Sequence, residues 1–368
     1  MKNSRKFKLI LKRINKMNNF LILNALLIVG ISISTIYSAT ILKGGGFHYK
    51  EAVWAIISIF AYFIISMIDY KKYLKYYTLL YVFNLLFLSA LLVVGESRLG
   101  AQRWINLGPV SLQPSEIGKV IVVLTLSAFI SVHFRGRSLG FKNFLACGIF
   151  VAPVLLLILK QPDLGTTLII CMTFFVILFM ANLEWKIIIS MIVAAGISAP
   201  LSFFFLLKDY QKTRILTFLN PEADPLKGGW NVTQSMIAIG SGGFNGKGFL
   251  NSTQSKLRFL PEAHTDFIAS VFLEERGFVG GVILFVLYLF LIMQILHVAD
   301  TTEDKYGRLV CYGIGAIFFF HFVINVGMTM GIMPVTGKPL LLMSYGGTSL
   351  LLSFVMLGIV QSVRIYRE

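Results

Sequence analysis

Asp266 lies in the run Pro261-Glu262-Ala263-His264-Thr265-Asp266-Phe267, where 58 mostly polar residues (207–264) give way to apolar sequence. A carboxylate at such a boundary can meet both a lipid-borne substrate and water. Ionisable groups at membrane depth mark functional sites by default. Lys256 and Arg258 come shortly before it. Cations near a carboxylate can hold a phosphate while the carboxylate accepts a proton. Asp266 also suits a plain helix N-cap, so both readings stand on the residues alone.

Three other groups of residues carry chemical potential. The first holds Arg98, Arg103, Trp104 and the run Gln113-Pro114-Ser115-Glu116-Ile117-Gly118-Lys119. Pro114 suits the first turn of a helix, which puts Gln113 near the N-cap. Glu116 and Lys119 then share a face at i,i+3 spacing. Arg103 and Trp104 fit an interfacial anchor as well as a substrate contact. Lys119 sits inside an apolar run, where a charge costs at least about 2.5–3.5 kcal/mol, so it needs a partner. The second group, Lys160-Gln161-Pro162-Asp163-Leu164-Gly165-Thr166-Thr167, offers one. A Lys119–Asp163 pair inside the bundle is expected, although Asp163 also suits a simple cap. The third group holds His321, Asn325, the turn 333–339 and Ser344-Tyr345-Gly346-Gly347-Thr348-Ser349. Its small residues serve tight packing, or Ser344 and Ser349 line a polar cavity. The glycine-rich run 240–248 fails the phosphate-loop pattern, with Ser241 at the first glycine position and Gly248 after the lysine.

The elements that position these residues are apolar helices. Of 368 residues, 56% are hydrophobic and only 14% charged, and the mean hydropathy is +0.78. An ordinary soluble domain has about 25% charged residues, so the bilayer must be the solvent. Spans need about 20 apolar residues. Ten are expected, at 20–40, 52–69, 77–95, 114–134, 143–159, 163–183, 186–206, 265–299, 309–332 and 340–362. The fold class is therefore all-α and polytopic, one transmembrane domain over 1–368. It has a basic N-terminal segment (1–19) and a long outer-face loop (207–264) between helices 7 and 8. The eighth segment would run about 52 Å as one helix against a core of about 30 Å. It also contains Glu274, Glu275 and Arg276, so the true span starts near Gly277. Residues 265–276 then form a leg at the outer interface or against a polar cavity. The three cysteines lie in apolar runs and argue against a disulfide framework. No Cys/His cluster has zinc spacing.

Net charge +16 invites a nucleic-acid partner, but its distribution excludes one. Seven of the 33 basic residues fall in the first 16 positions, and most others flank apolar runs. That pattern signals topology and contact with anionic membrane lipids. With the N-terminus inside, the short cytoplasmic segments carry eighteen basic residues against six on the outer side. Both termini are thus expected in the cytoplasm, with the 207–264 and 96–113 segments outside.

Several of these motifs, taken in order, resemble the SEDS family of shape, elongation, division and sporulation proteins. They are Arg103-Trp104-Ile105 through Gln113-Pro114-Ser115-Glu116, Gln161-Pro162-Asp163-Leu164-Gly165-Thr166, Gln234-Ser235 with Ile237 to Gly243, Leu260 to Phe267, Met333-Pro334-Val335-Thr336-Gly337 and Ser344 to Ser349. They cover roughly residues 20–365. Gly248 to Ser255 resembles the elongation branch more than the division branch. Two positions depart from the pattern. Lys338 stands where an apolar residue is usual, without a second proline near Leu341, and Lys227 stands in a turn that is often glycine or alanine.

The resemblance implies a peptidoglycan glycosyltransferase of the bacterial cytoplasmic (inner) membrane. It would polymerise lipid II, a disaccharide-pentapeptide on undecaprenyl diphosphate, beside a class B penicillin-binding protein that cross-links the peptides. The family's essential aspartate falls on Asp266, as general base for the acceptor hydroxyl. Arg103, Lys119, Lys256 and Arg258 are expected to hold the leaving diphosphate. Trp104 stacks on a sugar or anchors in the interface. Gln113, Glu116, Asp163, Glu262, His264 and Ser344 complete the expected substrate site. A divalent metal (Mg or Mn) stays open, and no other cofactor is called for. Rival readings are a lipid II flippase and a non-catalytic scaffold for cell-wall enzymes.

Overall fold

The computed structural model describes residues 13, 16–94, 96–98, 101–106, 111–134, 138–205, 209–220 and 228–367. Lys227 and most of the basic N-terminal segment lie outside the described residues. Each of the ten expected spans corresponds to one helix. These are α1 (Asn19–Thr40), α2 (Phe47–Ser66), α4 (Tyr77–Val94), α5 (Pro114–His133), α6 (Phe141–Lys160), α7 (Leu164–Met180) and α8 (Trp185–Phe205). After the long connection come α12 (Ile268–Asp300), α13 (Lys305–Thr329) and α14 (Gly347–Tyr366). A short α3 (Lys71–Lys75) links α2 to α4. Seven of the ten are long and apolar enough to cross a membrane, and α4, α7 and the Trp185–Ser198 part of α8 are shorter apolar stretches.

Local chemistry starts several of them. The Asn18 side chain accepts from the Phe20 N–H at 3.2 Å at the head of α1. Asp304 does the same for Gly307 at 2.8 Å at the head of α13. Such caps satisfy backbone donors that the helix leaves orphaned. Packing then sorts the helices. α5 is buried along most of its length, between α4, α6, α7, α13 and α14. α2 lies along α14, and α12 packs on α1, α10 (Gly228–Gly242) and α13. Large apolar side chains such as Val53, Ile56 and Phe60 on α2 and Phe278, Val282 and Phe285 on α12 face outward. Their solvent is hydrocarbon, and helix association rests on close packing rather than on water exclusion.

The two chain ends meet at one end of the bundle. Arg13 lies 4.7 Å from the Tyr366 ring centroid, and Arg364 Nε donates to the Lys16 carbonyl at 3.2 Å. Asp266 is at the other end, near the start of α2 and α14. Tyr345 N–H donates to the His264 carbonyl at 2.9 Å, and Gly346 N–H to Glu51 Oε2 at 3.3 Å.

Four features differ from the sequence reading or narrow it. The 96–113 connection holds a small antiparallel sheet, with β2 (Ala101–Asn106) between β1 (Glu96–Arg98) and β3 (Ser111–Leu112). The long 207–264 connection carries helices of its own: α9 (Asp209–Leu219), α10 and α11 (Thr253–Lys256). α10 is docked, with Ser235 Oγ donating to the Thr329 carbonyl at 2.6 Å. The last span starts at Gly347 rather than 340, because 340–346 folds as a buried turn first. Of the two placements expected for the leg, the interface is the one excluded: Ile268 to Glu275 are buried in protein.

The over-long segment does break at Gly277, with φ 63° and ψ −160°. A Cβ there would collide with the backbone nitrogen of Gly246. The 243–253 loop packs into this bend. Glu274 accepts from Lys247 Nζ at 2.6 Å, Ser252 Oγ at 2.6 Å and Thr253 N–H at 2.9 Å. A carboxylate in a buried helix is thus fully engaged by the loop that crosses it.

Candidate functional site

Asp266 sits two residues before the start of α12, half-buried. It does not serve as the N-cap, a position held by Phe267. Its backbone carbonyl accepts from Asn325 Nδ2 on α13 at 2.9 Å. The same nitrogen donates to the Lys338 carbonyl at 2.8 Å. Asn325 is fully buried and so joins the leg to the 333–339 turn. Gly337, at φ +66°, comes close to the carboxylate: a Cβ there would lie 3.3 Å from Asp266 Oδ2.

Beneath this carboxylate lies a buried charge network drawn from α5, α7, α13 and the 333–339 turn. Lys119 is ion-paired to Glu116 and lies 2.7 Å from His321 Nε2. Lys338 Nζ lies 3.0 Å from Asp163 Oδ1 and 3.3 Å from Glu116 Oε1, and donates to the Thr166 hydroxyl. Asp163 also accepts from Gln113 Nε2 at 2.8 Å, Ser115 Oγ at 2.9 Å and Thr166 Oγ1 at 2.8 Å. Two carboxylates and two ammonium groups therefore balance, as buried charges must. Burial pushes the Lys338 ammonium toward neutrality, but Asp163 and Glu116 outweigh it and hold its pKa above the ordinary lysine value.

This network corrects the expected Lys119–Asp163 pair. Lys119 finds its partner one turn away in Glu116, and Asp163 finds Lys338 from 175 residues away. Asp163 caps α7 as well, accepting from Thr166 N–H at 3.2 Å, so the cap reading holds beside its pairing with Lys338. Lys119, 1% exposed and already paired, is not set to receive a diphosphate. Gln113, Glu116 and Asp163 bond to their neighbours in the network. Ser344, expected to line the substrate site, is buried, and its hydroxyl accepts from the Leu340 N–H at 2.8 Å. It closes the 340–344 turn.

The other expected residues gather at the same end as Asp266. Lys256 is half-buried and Arg258 exposed, on a segment tied to the end of α1 by Ser255 Oγ donating to the Ala39 carbonyl at 3.1 Å. Glu262 is exposed at φ +50° and accepts from Thr265 Oγ1 at 3.0 Å, which shapes the turn into the leg. Trp104 is half-buried on β2, paired with Glu96. Arg103 is on the same strand, and its side chain lies outside the described residues. His264 packs among aromatic rings, 5.1 Å from Phe47 and 5.6 Å from Tyr345 between centroids. Burial holds its pKa below the ordinary histidine value, Lys43 acts in the same direction, and Glu262 opposes them. Sequence reasoning left Lys338, Asn325, Phe47 and Tyr345 out of the site. For Lys338 the signal was there, as a cation in place of an apolar residue.

Among the described residues, no group of three or more His, Cys, Asp or Glu side chains gathers as a metal site. Glu116 and Asp163, the buried carboxylates of the network, are taken up by lysines. Among the described residues, the donor set does not fit a resident divalent metal.

A bundle of apolar helices with a half-buried carboxylate at one end, over a neutralised buried charge network, defines a polytopic membrane protein with a polar site at that end. The family described as "Cell cycle protein" (FtsW/RodA/SpoVE) matches residues 15–368, and the chain belongs to it. It is 41% identical over 305 residues to peptidoglycan glycosyltransferase MrdB of Escherichia coli (strain K12), covering 83% of this chain and 82% of that protein. It is 34% identical over 428 residues to peptidoglycan glycosyltransferase RodA of Treponema pallidum, covering 96% and 98%. A chain solved under the heading "Structural coordination of polymerization and crosslinking by a peptidoglycan synthase complex" is similar at TM-score 0.84 and 31% identity, over 95% of this chain and 98% of that one. The Rod shape determining protein RodA of Thermus thermophilus is similar at TM-score 0.71 and 27% identity, over 96% and 98%. In keeping with these relatives, the chain is a glycosyltransferase.

Proposed function

We propose that this chain polymerises lipid II into glycan strands at the outer face of the cytoplasmic membrane during cell elongation, with Asp266 as general base. The observation that carries the reading is the setting of Asp266. It is half-buried and fixed through its backbone, and Gly337 leaves space beside its carboxylate. In the reaction, the acceptor 4-hydroxyl oxygen forms a bond to the anomeric carbon of the donor sugar. The bond from that carbon to the diphosphate oxygen breaks, and the diphosphate leaves with the electron pair. The hydroxyl proton passes to Asp266, help that typically contributes about 10²- to 10⁴-fold. A diphosphate leaves without a dedicated carboxylic acid, unlike the leaving groups of glycosidases. Lys256 and Arg258, on the Asp266 end of the bundle, are suited to hold it.

An apolar groove of about 580 Å³, open on the lipid-facing side where Phe278 and Phe285 line it, supports a lipid-linked substrate. It is lined by Ala269 and Leu273 of the leg, Ile239 of α10, Phe285 of α12 and Phe322 of α13. The orientation follows from charge. The end where the termini meet carries the excess of Lys and Arg, so it belongs in the cytoplasm. A class B penicillin-binding protein is the proposed partner, by analogy with the related synthase complex. The test is purified full-length protein in vesicles with lipid II, with and without the partner, scored for polymer and for transbilayer movement. Glycan strands support the reading. Movement of lipid II without polymer makes the chain a flippase and overturns it.

A further inference from the structure

We infer that Asn325 and Lys338 form a clamp that positions Asp266, with the buried charge network as its anchor. Every link is a contact of named atoms. Lys338 is held at its ammonium end by Asp163, Glu116 and Thr166 on α7 and α5. Its backbone carbonyl accepts from Asn325 Nδ2 at 2.8 Å, and that nitrogen's second hydrogen goes to the Asp266 carbonyl at 2.9 Å. One amide group therefore fixes the distance between the Lys338 backbone and the Asp266 backbone. The residue before Lys338, Gly337, borders the Asp266 carboxylate itself. Any shift of the 333–339 turn changes both the place of Asp266 and the space at its carboxylate.

The clamp depends on the lysine. With an apolar side chain at 338, the turn loses its ionic hold on α5 and α7, and Lys119 is the one ammonium left to the network that holds Glu116 and Asp163. Asn325 is suited to its part because it presents two hydrogens from one atom and is itself fully buried. Neither residue touches the reacting atoms. Both act through Asp266, and this role rests on the proposed function of that residue. A displacement of about 1 Å at a reacting group costs about 10²-fold in rate.

The test compares Asn325→Ala, Lys338→Met and Lys338→Arg in the full-length protein. Polymerisation of lipid II is measured well below each melting temperature. The clamp predicts that Asn325→Ala and Lys338→Met lower kcat by about ten- to 10²-fold, with KM within about twofold. Lys338→Arg, which keeps the charge, recovers most of the rate. A merely structural role lowers the melting temperature and leaves kcat of the folded protein unchanged, which overturns the inference. If Asn325→Ala does not fold, the two Lys338 variants decide by the same criterion. A second readout does not need activity. Asp266→Cys, with Cys147, Cys171 and Cys311 replaced by serine, is labelled with a charged thiol reagent. The clamp predicts a several-fold change in labelling rate when Asn325→Ala is added, and an unchanged rate contradicts it. If the wild type makes no glycan, the proposed function fails and the labelling rates alone decide the clamp.

Discussion

At the scale of residues, the site divides into groups that face the membrane surface and groups that hold one another. Glu116, Lys119, Asp163 and Lys338 belong to the second kind. Removing one partner of a buried pair leaves an uncompensated charge, at a cost of about 3–5 kcal/mol. Lys119→Met is therefore expected to destabilise the protein by about that amount in denaturant titrations in detergent, and a loss near zero contradicts the pairing. His264 gives a prediction in pH. Its folded pKa is depressed by burial, so the folded state prefers the neutral ring. As pH falls below about 6.5, the unfolded chain takes up a proton first and stability drops, until His264 itself titrates. Melting temperatures across that window should fall more steeply for wild type than for His264→Phe.

At the scale of elements, the bend at Gly277 sets the angle between the buried leg and the α12 span. Its φ/ψ values lie in a region that is essentially glycine-only, and Gly246 fills the space where a Cβ would stand. Gly277→Ala is expected to cost at least about 1–3 kcal/mol and to lower activity with it, read as melting temperature and polymerisation rate together. This bend was legible in the sequence, because 35 apolar-rich residues with three charges in a row do not fit one span. The ten helices were legible for the same reason: each needs an apolar run of membrane length, and lipid permits little else. The small sheet over 96–112 and the helices within 207–264 were not, since short polar segments lack a strong period. Nor was the partner of Asp163. Lys338 lies 175 residues away and meets Asp163 only once α5, α7 and the 333–339 turn have packed, whereas Glu116–Lys119 is a local i,i+3 contact. Ser344 misled because a serine beside glycines reads alike as cavity lining and as turn closure.

At the scale of the whole molecule, the termini share one end of the bundle and Asp266 the other. With the basic excess inside, a green fluorescent protein fused after residue 368 should fluoresce. Lys256→Cys should react with a membrane-impermeant maleimide added to intact cells whose outer barrier is permeabilised. The reverse pattern contradicts the orientation and removes the substrate from Asp266. The most direct measurement of the central claim is the rate of lipid II polymerisation by purified, folded Asp266→Asn protein beside wild type. The amide keeps the size of the side chain and removes its basicity. The predicted result is a loss of at least about 10²-fold. Polymer made at the wild-type rate and length would show that Asp266 is not the base.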